Sequence, residues 1–145
     1  MEARARWMSV LATAPPADFD AVWATVGPLP AYQLLRGPEV GLVMVRARAG
    51  GMGARFNLGE MTVTRCTVRL DDGVLGHAYL GGRRPRAAER AAVLDALMQD
   101  AGRRARLERE VIDPLAARQA EHRQRAAARA ATTRVEFFTM VRGEE

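Results

Sequence analysis

The stretch from Gly50 to Leu70, GGMGARFNLGEMTVTRCTVRL, brings glycine, arginine, asparagine and glutamate together at short spacing. Gly50, Gly51 and Gly53 form a cluster whose backbone N–H groups could cradle a phosphate. Arg55 and Arg65 follow it, and Arg46 and Arg48 precede it. Each arginine carries a planar fork suited to phosphate or carboxylate. With Asn57 and Glu60 these residues make a candidate substrate- or partner-binding loop: Gly50, Gly51, Gly53, Arg55, Asn57, Glu60 and Arg65. The loop is not a Walker motif, because GK[ST] is missing, and no helix follows to make it a dinucleotide fingerprint. A tight connection between two strands explains the same glycines, which tolerate positive φ and close backbone approach. Both readings stand at this point.

Cys66 and His77 could meet across a hairpin as a nucleophile and base, but a lone cysteine more often packs as a small hydrophobe. His77, His122 and Cys66 lack metal-ligand spacing, so neither a metal nor a cofactor is expected in this chain. A single cysteine excludes an internal disulfide and fits a reducing cytoplasm. No serine nucleophile elbow is present.

The 145 residues suit one domain over 1–145, and 48% hydrophobic content suffices for a core. There are 22 basic residues, all arginine, against 17 acidic ones, giving +5. The lack of lysine excludes Schiff-base and Walker-lysine chemistry. Arg118, Arg123, Arg125 and Arg129 fall on one helical segment. A solvated face, an acidic partner or electrostatic nucleic-acid binding would each use them. A free-standing basic nucleic-acid-binding module is therefore the rival reading, although no nucleic-acid fold signature accompanies the helix. The N-terminal segment is too polar for a membrane span, and Trp7 to Ala12 is too short and amphipathic for a targeting core.

These residues need elements to hold them. Ala3 to Thr13 reads as a helix with Trp7, Leu11 and Ala14 on one stripe, ended by Pro15-Pro16. Phe19, Val22, Trp23 and Val26 make a second stripe, closed by Gly27-Pro28. Trp7 and Trp23 serve either a core or a partner interface. A weak strand over 32–36 and a stronger one over 39–49 precede the glycine loop, with Val43 and Val45 on one side and Leu42, Met44, Arg46 and Arg48 on the other. A strand over 60–70, an Asp71-Asp72-Gly73 turn of type I′ and a strand over 74–80 form a hairpin. Helices are expected over 85–99, 103–112 and 115–131, with Asp113-Pro114 as a new cap and first turn. A last strand over 135–141 carries Phe137 and Phe138, at an interface or in the chain's own core. The expectation is an α+β domain: a small antiparallel sheet with a β-hairpin, packed helices and an N-terminal helical pair.

Several segments together resemble a known family: Arg6-Trp-Met-Ser-Val-Leu-Ala, Gly50-Gly51-Met-Gly53, Phe56-Asn-Leu-Gly-Glu-Met-Thr-Val-Thr-Arg-Cys, Asp72-Gly-Val-Leu-Gly-His77, Leu94-Asp-Ala-Leu-Met-Gln99 and the ending Arg134-Val-Glu-Phe-Phe-Thr-Met-Val-Arg-Gly-Glu. The chain resembles PhnG, the G subunit of the bacterial carbon–phosphorus lyase system, over nearly its whole length. The resemblance implies a cytoplasmic core complex with PhnH, PhnI and PhnJ, with PhnL functionally associated. It implies a part in displacing adenine from MgATP with an alkylphosphonate, giving an α-D-ribose 1-alkylphosphonate 5-triphosphate. MgATP would be a substrate of the complex, and this chain an accessory subunit without catalytic residues of its own. No nucleic acid or membrane partner is implied.

One segment departs from the family. Where the family commonly reads G-R-D-x-x-H-A-E, this chain has Gly82-Arg83-Arg84-Pro85-Arg86-Ala87-Ala88-Glu89. Arg84 replaces the Asp and Ala87 the His. A structural role fits best: the Asp would cap a helix, and Pro85 partly compensates by presetting its first turn.

Overall fold

The computed structural model of the protein describes residues 2–133. The strand expected over 135–141, with Phe137 and Phe138, lies outside those residues. The described chain is α+β. Helices α1 (Glu2–Thr13) and α2 (Pro16–Trp23) form the N-terminal pair. Strands β1 (Tyr32–Arg48), β2 (Arg55–Leu70) and β3 (Leu75–Gly81) form one antiparallel sheet in the order β1-β2-β3. Helices α3 (Pro85–Leu97), α4 (Ala101–Leu107) and α5 (Asp113–Thr132) follow, with a π-helical turn over Glu108–Ile112.

The core lies between the sheet and α3. Alternate residues of β3 point inward, so Gly76, Ala78 and Leu80 are buried while Leu75, His77 and Tyr79 are exposed. Helix α3 packs against all three strands on one side and against α1 and α2 on the other. It is therefore buried all round from Ala91 to Met98, and its alanines allow close approach. The approach is tightest at Gly76, where a Cβ would stand 1.9 Å from the Ala92 carbonyl oxygen. The stripe Trp7, Leu11 and Ala14 is buried as its spacing predicts, and so are Phe19, Val22 and Val26.

Three local expectations change. The two β1 segments are one strand, kinked by register shifts around Gly37-Pro38. The Asp71-Asp72-Gly73 turn is not type I′, which needs positive φ at both central residues. Only Gly73 has it, at 89°; Gly73 N–H donates to Leu70 O, and Leu70 N–H donates to Val74 O, both at 2.9 Å. Asp113 does not cap a new helix. It is itself helical (φ −64°, ψ −43°), and its carboxylate accepts from Arg6 Nη2 at 2.7 Å. The path from Ala101 to Thr132 is continuous, and the π turn sits just before Pro114, which has no N–H to donate to the preceding turn.

Candidate functional site: a projecting β-arm

The last residue pair between β2 and β3 is Val63 with Gly81. Beyond it β1 and β2 run on alone as a two-stranded arm, residues 41–62, ending in a 3-10 turn over Ala49–Gly51. Residues 55–61 are all exposed. At about 3.3 Å per residue, Gly41 to Arg48 extends about 23 Å.

The glycine loop is the tip of this arm and is smaller than the sequence suggests. Gly50 and Gly51 have φ of 58° and 81°, a region side-chain-bearing residues seldom enter. Gly53 N–H donates to Ala49 O at 2.9 Å, and a Cβ on Gly53 would fall 2.8 Å from that oxygen. A tight strand connection thus accounts for all three glycines. Arg55, Asn57 and Glu60 lie within β2 rather than in a loop. The seven candidate residues do not converge. Arg55 stands at the tip, while Arg65 lies ten positions along β2, about 33 Å away. There Arg65 Nε donates to Glu39 Oε2 at 3.1 Å.

Register shows how the arm is surfaced. Val43 stands opposite Met61, Val45 opposite Gly59 and Ala47 opposite Phe56, so one face is apolar throughout. Leu42 and Met44 lie on the other face, opposite Thr62 and Glu60. A register shift between Val45 and Arg46 leaves Leu58 as an extra residue in β2. Leu42, Met44, Met52, Phe56, Leu58 and Met61 are all exposed, Met52 to 92%. Toward the tip, Arg48 stands directly opposite Arg55 and Arg46 opposite Asn57. Arg48 Nη1 donates to the Gly53 carbonyl oxygen at 3.1 Å. Among the described residues Arg46, Arg48 and Arg55 make no ion pair. The sequence reading picked out the glycines and arginines but missed the exposed apolar set. Its signal is a strand apolar on both faces, GLVMV, which a strand with one wet face would not show.

The other candidates resolve differently. Trp7 is buried and bonded inside this chain, so it is no interface residue. Trp23 is half-buried, with the Arg90 guanidinium 5.0 Å from its ring centroid. Cys66 pairs with Ala78, and His77 pairs with Thr67. Neighbouring pairs face opposite sides of a sheet, so the Cys66–His77 dyad does not form. The Cys66 thiol is in the core and donates to Arg36 O; burial, then the charge of Glu89, push its pKa up to about 11. His77 Nδ1 lies 3.2 Å from Thr67 Oγ1 on the exposed side. On α5, Arg118 and His122 both reach Asp18, and Arg125 pairs with Glu121. That basic helix is therefore partly neutralised within the chain. No group of three or more His, Cys, Asp or Glu side chains converges among the described residues to hold a metal ion.

The departing segment lies at the start of α3. Arg84 occupies the cap position with no side-chain cap bond. Its N–H donates to Thr64 Oγ1 at 2.9 Å, and its Nη2 donates to Ala14 O at 2.8 Å. Its Nε is buried without a partner among the described residues, and burial lowers its pKa. Ala87 falls in the first turn of α3.

Residues 2–143 match the family described as phosphonate metabolism protein PhnG. This chain belongs to the PhnG family. It is 46% identical over 142 residues to the alpha-D-ribose 1-methylphosphonate 5-triphosphate synthase subunit PhnG of Rhizobium meliloti (strain 1021), covering 98% of this chain and 90% of that protein. This PhnG chain thus has the α+β fold expected of it, with its glycine cluster at the tip of the arm. Among the described residues no helix is long and apolar enough to cross a membrane.

Proposed function

We propose that this chain is a required, non-catalytic subunit of a ribose 1-methylphosphonate 5-triphosphate synthase, acting in organic phosphonate breakdown. The assembly exchanges the adenine of MgATP for an alkylphosphonate. PhnH, PhnI and PhnJ are its core partners, PhnL is functionally associated, and the setting is cytoplasmic. The observation that carries the reading is the near-complete correspondence with a protein named as that synthase's PhnG subunit. The geometry supports it. The one nucleophile–base pair the sequence offers is split between the two faces of the sheet, while a long apolar arm stands free of the body.

Co-expression of the tagged chain with PhnH, PhnI and PhnJ, followed by purification in moderate salt, tests the reading. A stoichiometric complex is expected. A monomer that recruits none of them refutes it, and the nucleic-acid alternative would then show as binding that weakens steeply with salt.

A further inference from the structure

We infer that the arm of residues 41–62 is the chain's docking element, enclosed on both faces by another synthase subunit in an apolar cleft whose inner end carries carboxylates. The inference rests on the subunit reading above and adds the surface and the chemistry of its complement.

Three observations lead to it. A bare two-stranded ribbon is at best marginally stable in water. This one nevertheless exposes Leu42, Met44, Met52, Phe56, Leu58 and Met61, more than half of the large apolar side chains exposed on the described chain. Apolar surface concentrated in that way marks an interaction site. Both faces carry it, Val43, Met61 and Phe56 on one and Leu42 and Met44 on the other, so a partner covering a single face would leave the rest wet.

The second observation is charge. Like charges directly opposite on a two-stranded ladder are destabilising, yet Arg48 faces Arg55 with Arg46 close by. At the arm's root the corresponding guanidinium, Arg65, has Glu39. Glu60 is the sole acid between residues 41 and 62, so a second copy of the arm has no surplus carboxylates to offer. The complement must supply them where the tip arrives. The third observation is size. A standard interface takes about 20–30 residues a side, and residues 41–62 provide that number.

The test uses the full chain co-expressed with PhnH, PhnI and PhnJ. One variant carries Phe56→Glu with Leu58→Glu, a second Arg48→Glu with Arg55→Glu, and a third replaces residues 46–58 by Asn-Gly, joining the paired residues Val45 and Gly59. Each should lower the co-purifying fraction at least tenfold while the isolated chain keeps its wild-type thermal midpoint. A photo-crosslinking residue at position 58 of the otherwise wild-type chain, which needs no disruptive change, should attach to a peptide of another subunit that is rich in apolar residues with Asp or Glu close by. Wild-type assembly with unimpaired variants, or a crosslink to this chain alone, overturns the arm inference and leaves the subunit reading intact. A self-dimer dissociated by the same variants overturns it in favour of a second copy. Failure of the wild-type chain to assemble removes both.

Discussion

Trp7 donates its indole N–H to the Asp95 carboxylate at 2.9 Å, joining α1 to α3 across 88 residues of sequence. Arg4 reaches the same carboxylate through Nε at 3.1 Å and Nη2 at 2.8 Å, and the backbone N–H of His77 donates to it at 2.9 Å. Asp95 has no exposed surface, yet both its oxygens are used. The carboxylate fastens α1 and β3 to the central helix. It also raises the Arg4 pKa, chiefly through the hydrogen bond.

Asp95→Ala leaves four N–H donors, from three residues, without their acceptor. It should cost about 3 kcal/mol or more, because the Trp7 indole N–H and the His77 N–H each lose a bond to a charged acceptor. Arg4→Met alone should cost a comparable amount, because it strands the buried charge. The double variant Arg4→Met with Asp95→Ala should be less unstable than the sum of the singles. Urea unfolding of the four proteins checks this, and additive losses would show that the pair is not coupled.

Gly76→Ala should cost about 3 kcal/mol or more, since overpacking against backbone cannot be relieved by a rotamer change. The new Cβ would meet the Ala92 carbonyl oxygen at 1.9 Å and the Ala96 Cβ at 2.8 Å. Gly81→Ala, with open space around its Cβ position, is the control on the same strand. Equal stabilities for the two variants would contradict the close approach of α3.

Much of this architecture was legible in the sequence, and the failures have physical causes. The stripes Trp7-Leu11-Ala14 and Phe19-Val22-Val26 announced their helices, because 3.6-residue periodicity is a local property. The Arg4–Trp7–Asp95 network was invisible, because it depends on α1 crossing α3. The reach of β2 back to Arg55 was also missed. Asn57 and Gly59 read as loop residues, and cross-strand pairing with Arg46 and Val45 overrides that weak preference. The glycines of the candidate site could be found from sequence, but not that they form a tip with apolar flanks.

Cys66 gives a pH test. Its thiol holds its proton up to about 11 in the folded state, against 9.0 for an unperturbed thiol. Between those values the folded chain binds more protons than the unfolded one, so stability falls as pH rises. This contribution is intact below pH 9 and lost progressively toward pH 11. Urea midpoints at pH 8 and pH 10 should therefore drop further for the wild type than for Cys66→Ala. Parallel drops would place the thiol outside the core.

Arg84→Asp exchanges a desolvated guanidinium, with its Nε unpartnered, for a side chain that can cap α3. It forfeits the bond to Ala14 O, so the net gain should be modest, about 0.5–1 kcal/mol. Thermal unfolding measures it. A large rise in complex activity without added stability would instead give this segment a chemical role.

The most direct test of the central claim is adenine release from MgATP and methylphosphonate by the reconstituted synthase, with and without this chain. Product formation that requires the chain, and that returns when Cys66→Ala or His77→Ala protein is added in its place, is the predicted result. Undiminished turnover without the chain, or turnover by the purified chain alone, would contradict it.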